Sequence, residues 1–128
     1  MANSNYSFMD SSYPIDGHCM NKELVKIVQD CEATCEHMTR HLDMAQHYEP
    51  ARERQAILLR DCADICTITA KYLARGSMFS RCIALLCADI CDACGAECAR
   101  FPDEMSQNCA QVCFHCTRAC RSFVGMYR

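Results

Sequence analysis

The chain has 128 residues, enough for one domain with a buried core, and its net charge of −3 lacks the concentrated basic face that nucleic-acid binders present. Fourteen cysteines stand beside no tryptophan, four glycines and three prolines, a helix-favouring composition with thiols far above ordinary usage. No apolar run approaches membrane-spanning length, and Met1–Asn21 lacks the basic start, apolar centre and small-residue cleavage site of a secretory signal, which points to a cytoplasmic protein with reduced thiols and no membrane or nucleic-acid partner.

Residues 1–20 are predicted to be a flexible arm carrying His18 and Cys19 near its end, and residues 21–128 to be a single bundle domain. Asn21 is a candidate N-cap for a first helix over about 22–48. Leu24, Ile27, Val28, Cys31, Cys35, Met38, Leu42 and Ala45 recur there at helical period on one face. Glu49-Pro50 interrupts the pattern, and a second helix over about 51–75 turns Leu58, Leu59, Cys62, Cys66, Thr69 and Leu73 inward. Gly76 is its expected C-cap. A third helix over about 78–100 ends at Phe101-Pro102, and Asp103 can cap a fourth over about 104–125. Four helices of similar length with short connections predict an all-α fold, an antiparallel up-down-up-down four-helix bundle with a cysteine-lined core.

The thiols are concentrated in residues 82–120, which hold nine of the fourteen. Cys87, Cys91, Cys94 and Cys98 read C-x3-C-x2-C-x3-C, and Cys109, Cys113, Cys116 and Cys120 repeat that spacing. On an α-helix these offsets fall within an arc of about 60°, a stripe about 16 Å long. The pentapeptide C-A-D-I-C occurs at both Cys62–Cys66 and Cys87–Cys91, with Asp64 and Asp89 expected outside.

Four chemistries compete for such stripes. Cysteine serves as a small buried hydrophobe, but Leu or Ile would fill two whole helix faces better. Disulfides between helices are geometrically open, whereas two cysteines at i, i+4 point in parallel and pair poorly. Iron–sulfur and zinc sites use other spacings or four ligands to an ion: Cys98 is followed by Ala-Arg-Phe rather than Pro, and no C-x2-C-x2-C run exists. Thiolates are also soft ligands for Cu(I). Each Cu⁺ that displaces one S–H proton leaves the total charge unchanged, so a dry core can fill without accumulating charge.

The segments D-C-A-D-I-C, C-A-D-I-C-D-A-C-G-A-E-C and C-A-Q-V-C-F-H-C-T-R-A-C-R-S, between Asp61 and Ser122, resemble the bacterial four-helix-bundle copper storage proteins of cytosolic type. The resemblance implies a homotetramer whose core cysteines bind multiple Cu(I) ions for storage, buffering or detoxification rather than catalysis. A storage role calls for a copper chaperone as donor or acceptor. The candidate metal ligands are Cys31, Cys35, Cys62, Cys66, Cys82, Cys87, Cys91, Cys94, Cys98, Cys109, Cys113, Cys116 and Cys120, with Met38 and Met105 beside them. A thiol redox or sensor protein, and a zinc or iron–sulfur protein, are the alternatives.

The first helix departs from the family pattern by carrying only Cys31 and Cys35, and Cys82 is out of phase by about 140° with the Cys87 stripe. Cys82 is expected to close the tube from its end unless the helix begins irregularly. Antiparallel topology gathers Met38, His41, Leu42, Cys98, Met105 and Cys109 at one end, an expected copper mouth. Leu24 and Leu73 are expected to plug the other end, near Cys19, Met20, Thr69, Cys82 and Cys120. His37, His47 and His115 fall off the cysteine arc and are expected in solvent.

Overall fold

The computed structural model describes residues 21–44 and 49–125. Cys19, Met20, Ala45, His47 and the expected arm over residues 1–20 lie outside them. The described residues form four α-helices, α1 (Lys22–Asp43), α2 (Glu53–Ala74), α3 (Ser80–Cys98) and α4 (Glu104–Gly125), with a short 3₁₀ turn (Pro50–Arg52) leading into α2. Each helix packs on its neighbours in chain order and α4 returns against α1, giving a four-sided bundle with the thiols along its axis.

Local chemistry accounts for the boundaries. Asn21 Oδ1 accepts from the Leu24 N–H at 2.9 Å and caps α1. Pro50 opens the 3₁₀ turn, where its missing N–H costs nothing, so α2 proper starts at Glu53, slightly later than the sequence pattern indicates. Gly76 takes φ 64°, and the Ser77 N–H bonds the Tyr72 carbonyl at 3.0 Å, a left-handed C-terminal stop that a side chain would disfavour. Ser77 Oγ then accepts from the Phe79 N–H at 3.0 Å, holding Ser77–Phe79 in a turn and delaying α3 to Ser80. Asp103 Oδ2 accepts from the Ser106 N–H at 3.0 Å and caps α4 at the expected place.

The buried stripe of every helix follows one alternating three- and four-residue step. It runs Leu24-Val28-Cys31-Cys35-Met38 on α1, Gln55-Leu59-Cys62-Cys66-Thr69-Leu73 on α2, Ser80-Ala84-Cys87-Cys91-Cys94-Cys98 on α3 and Ser106-Cys109-Cys113-Cys116-Cys120-Phe123 on α4. This 3.5-residue repeat is the spacing that keeps one seam facing its partners in a nearly parallel bundle. Twelve of the positions are cysteines with no exposed surface. Asp64 and Asp89 point outward, as the pentapeptide repeat requires.

Candidate metal centre

The twelve buried thiols form one continuous column. Near its middle, the Cys62 and Cys91 sulfurs are 3.5 Å apart, Cys31 lies 3.8 Å from Cys62 and 4.0 Å from Cys91, and Cys91 lies 3.7 Å from Cys116. Toward one end, Cys35 approaches Cys113 at 3.7 Å and Cys109 at 4.0 Å, and Cys94 and Cys98 continue the chain of contacts to Cys109. Toward the other, Cys66 meets Cys87 at 3.9 Å, and Cys120 joins through Cys87 and Cys116. None of the thirteen described cysteines is in a disulfide.

Three sulfur quartets have all members within 4.8 Å of one another: Cys31, Cys62, Cys66 and Cys91; Cys31, Cys35, Cys62 and Cys113; Cys66, Cys87, Cys91 and Cys116. A thiolate–metal bond of about 2.3 Å places two sulfurs on a three-coordinate ion about 4 Å apart, the spacing found here. The quartets share members: Cys31, Cys62, Cys66 and Cys91 each belong to two. Separate tetrahedral sites would need four private ligands apiece. Shared thiolates instead bridge neighbouring ions, so the arrangement suits a multinuclear cluster of a soft monovalent metal.

The apo column titrates as a unit. Cys31 is pushed down, first by its hydrogen bond with Cys113 and then with Cys116 and Cys35, while Cys91 is pushed up, first by its hydrogen bond with Cys116 and then with Cys31, Cys62 and Cys66. Cys113 is pushed up, first by its bond with Cys109. Burial raises every one of these thiols, and an incoming cation that replaces their protons relieves that opposition.

Cys82 requires a correction. It does not close the tube: α3 is regular from Ser80, Ser80 and Ala84 occupy the stripe positions at that end, and the Cys82 side chain is exposed. The plug of Leu24 and Leu73 is present, both buried. At the opposite end Met38 is buried and Met105 half-buried, whereas His41 is exposed and turned from the column. Met38 and Met105 line a recess of about 370 Å³ between α1 and α4, together with Thr34, His37, Glu104 and Asn108. His37 and His115 are both exposed, with His37 on the rim of this recess.

Residues 18–125 match the family model described as copper storage protein. The chain belongs to the copper storage protein family. A Bacillus subtilis (strain 168) relative, named uncharacterized cysteine-rich protein YhjQ, is 42% identical over 98 residues, covering 75% of this chain and 88% of its own. The Cu(I)-bound copper storage protein BsCsp3 superposes with a TM-score of 0.78 at 33% identity, over 82% of this chain and 98% of that one. Apo-Csp3 from Bacillus subtilis gives 0.74 at 36% identity, over 80% and 97%. Ccsp from Streptomyces lividans, in a structure loaded with 10 copper equivalents, gives 0.74 at 28% identity, over 89% and 93%.

Within this copper storage protein, the sequence left one group at the column's end unremarked. Gln55, fully buried, donates from Nε2 to Cys98 Sγ at 3.5 Å and to Ser106 Oγ at 3.0 Å. Arg52 donates to Gln55 Oε1 at 2.9 Å, to Ser106 Oγ at 3.0 Å and to Asp103 Oδ1 at 2.8 Å. Burial works against the Arg52 charge, but its hydrogen bonds to the Asp103 and Glu49 carboxylates more than offset it and raise its pKa. Burial likewise opposes the Asp103 carboxylate, yet Arg52 and Ser106 hold it below the usual range. Cys98 is pushed up, first by its bond with Cys109, then by Cys94 and burial, with Gln55 acting in the opposite direction. The signal that could have revealed this group is phase: Gln55 lies seven residues before Cys62 and Ser106 three before Cys109, polar residues on the buried stripe.

Proposed function

We infer that this chain stores Cu(I), holding multiple ions as a thiolate-bridged cluster along the bundle axis. The observation that carries this is the continuity of twelve fully buried thiols whose quartets share sulfurs. Replacing each S–H proton by Cu⁺ keeps the column neutral, which a low-dielectric core demands. The ligands are the twelve column cysteines. Met38 and Met105, thioethers lining one recess beside Cys35 and Cys109, add soft donors at that end and pass copper inward. Cys82, exposed, is outside the cluster.

The role is storage, buffering or detoxification rather than catalysis, in the cytoplasm and with exchange to a copper chaperone. Self-association into a homotetramer is supported by apolar side chains left outside, including Ile57 and Ile68 on α2 and Leu85 and Leu86 on α3. No helix among the described residues is long and apolar enough to cross a membrane.

Anaerobic titration with Cu(I) in competition with a chromophoric chelator tests this. Uptake of about one Cu(I) per column thiol, on the order of ten to twelve equivalents, is expected. Saturation at about one to three equivalents would show a discrete site instead and overturn the reading.

A further inference from the structure

The column's two ends are closed by different chemistry. At the Cys120 end the closing residues include Leu24, Leu73 and Phe123, all buried. At the Cys98 end a hydrogen-bonded relay runs from solvent to a thiol. Glu49 is 62% exposed at its side chain, Asp103 33% and Arg52 20%, whereas Gln55 and Cys98 have no exposed surface. Every polar group of the Gln55 side chain is used, with both N–H directions committed to Cys98 and Ser106 and the carbonyl to Arg52. The Arg52 guanidinium also stacks on the Phe101 ring, 4.1 Å from its centroid.

Cu⁺ moving along the axis past Cys98 meets the buried Gln55 amide, whose hydrogen bonds to Cys98 and Ser106 and from Arg52 must give way before an ion can pass. Arg52 has two sets of partners, however: Gln55 and Ser106 inside, Asp103 and Glu49 outside. It can release the inner pair while keeping the carboxylates. That supplies two discrete arrangements, one closed and one open.

We propose that Arg52, Gln55, Ser106 and Asp103 form a latch over the Cys98 end of the thiol column, beside the Met38–Met105 recess, and that its release limits how fast Cu(I) leaves there. The proposal rests on the storage reading. In the exchange step a Cu–S bond at the column end breaks, the freed thiolate takes a proton from solvent, and Cu⁺ passes without change of oxidation state to the acceptor's ligands. The latch governs access to that step and contributes no ligand itself.

The test is stopped-flow release from fully loaded protein into excess bathocuproine disulfonate under anaerobic conditions. Arg52→Ala and Gln55→Ala are expected to speed the first phase of release about tenfold, as removal of one or two buried hydrogen bonds implies, with total copper released unchanged. Ser106→Ala, which leaves the Asp103 carboxylate in place to cap the helix and therefore folds, is expected to speed it several-fold. Arg52→Lys keeps the charge but loses the fork, and is expected to fall between wild type and Arg52→Ala. Arg121→Ala serves as control, because Arg121 pairs with Asp89 and Asp92 on the outer face and touches no member of the relay. Wild-type rates in Arg52→Ala, Gln55→Ala and Ser106→Ala would overturn the latch, as would an equal acceleration in Arg121→Ala. The end point of each trace reports stored copper and so bears on storage, whereas only the rate bears on the latch.

Discussion

The α1–α2 pair and the α3–α4 pair share one stripe geometry and fill it differently. On α3 and α4 four consecutive stripe positions are cysteines. On α1 and α2 only the two central ones are, flanked by Leu24, Val28 and Met38 on one helix and by Leu59, Thr69 and Leu73 on the other. Larger apolar side chains bury more surface than a thiol, so α1 and α2 carry more of the apo fold's stability per stripe position. The other pair supplies eight of the twelve thiols and most of the capacity for metal. A storage bundle must fold before it fills, and this division lets one half hold the frame while the other stays chemically committed to ligands.

Substitutions can break that division on either side. The largest effect on apo stability is expected from Leu59→Ala, a fully buried residue one turn before Cys62. Chemical denaturation of the apo protein should show a loss of about 2–5 kcal/mol, with copper capacity retained because no ligand is removed. Next comes Gly95→Ala, at the contact of α3 with α4. An added Cβ would meet Phe114 Cε1 at 2.7 Å and Cys113 Cβ at 3.2 Å, so the helices must part or the ring must move. A destabilisation of about 1–3 kcal/mol is expected, together with fewer Cu(I) bound, since Cys94 and Cys113 face each other there. The smallest stability effect is expected from Cys94→Ser and Cys116→Ser, about 1 kcal/mol each in the apo protein with helical circular dichroism intact. Both should lower the titrated copper stoichiometry. If either unfolds the apo protein, the α3–α4 thiols are packing residues first and the contrast between the pairs fails.

The thiol column was legible because it is a matter of phase. A spacing of three and four residues fixes a helix face whatever the tertiary surroundings, so Cys87–Cys98 and Cys109–Cys120 could be placed before any coordinates, as could Cys62 and Cys66 through their repeated pentapeptide. Phase also put Cys82 outside the stripe, and treating it as an end cap gave composition more weight than geometry. The start of α3 was displaced because a turn built on Ser77 Oγ competes with the helix, a local choice that periodicity does not record. The Arg52 relay was hidden for another reason. Its partners Ser106 and Asp103 lie about fifty residues away in sequence, and a Gln at a helix start ordinarily reads as solvated. Only the closing of α2 against the α3–α4 connection turns these residues into one buried network.

The central claim is that one continuous run of shared thiolates holds the metal. Crystals of the fully Cu(I)-loaded protein, measured at the copper absorption edge, test it most directly. The account predicts a file of anomalous peaks along the bundle axis from Cys120 to Cys98, neighbouring peaks sharing sulfurs from Cys31, Cys62, Cys66 and Cys91. One or two isolated peaks with four private sulfurs each, or peaks confined to surface histidines and Cys82, would contradict it.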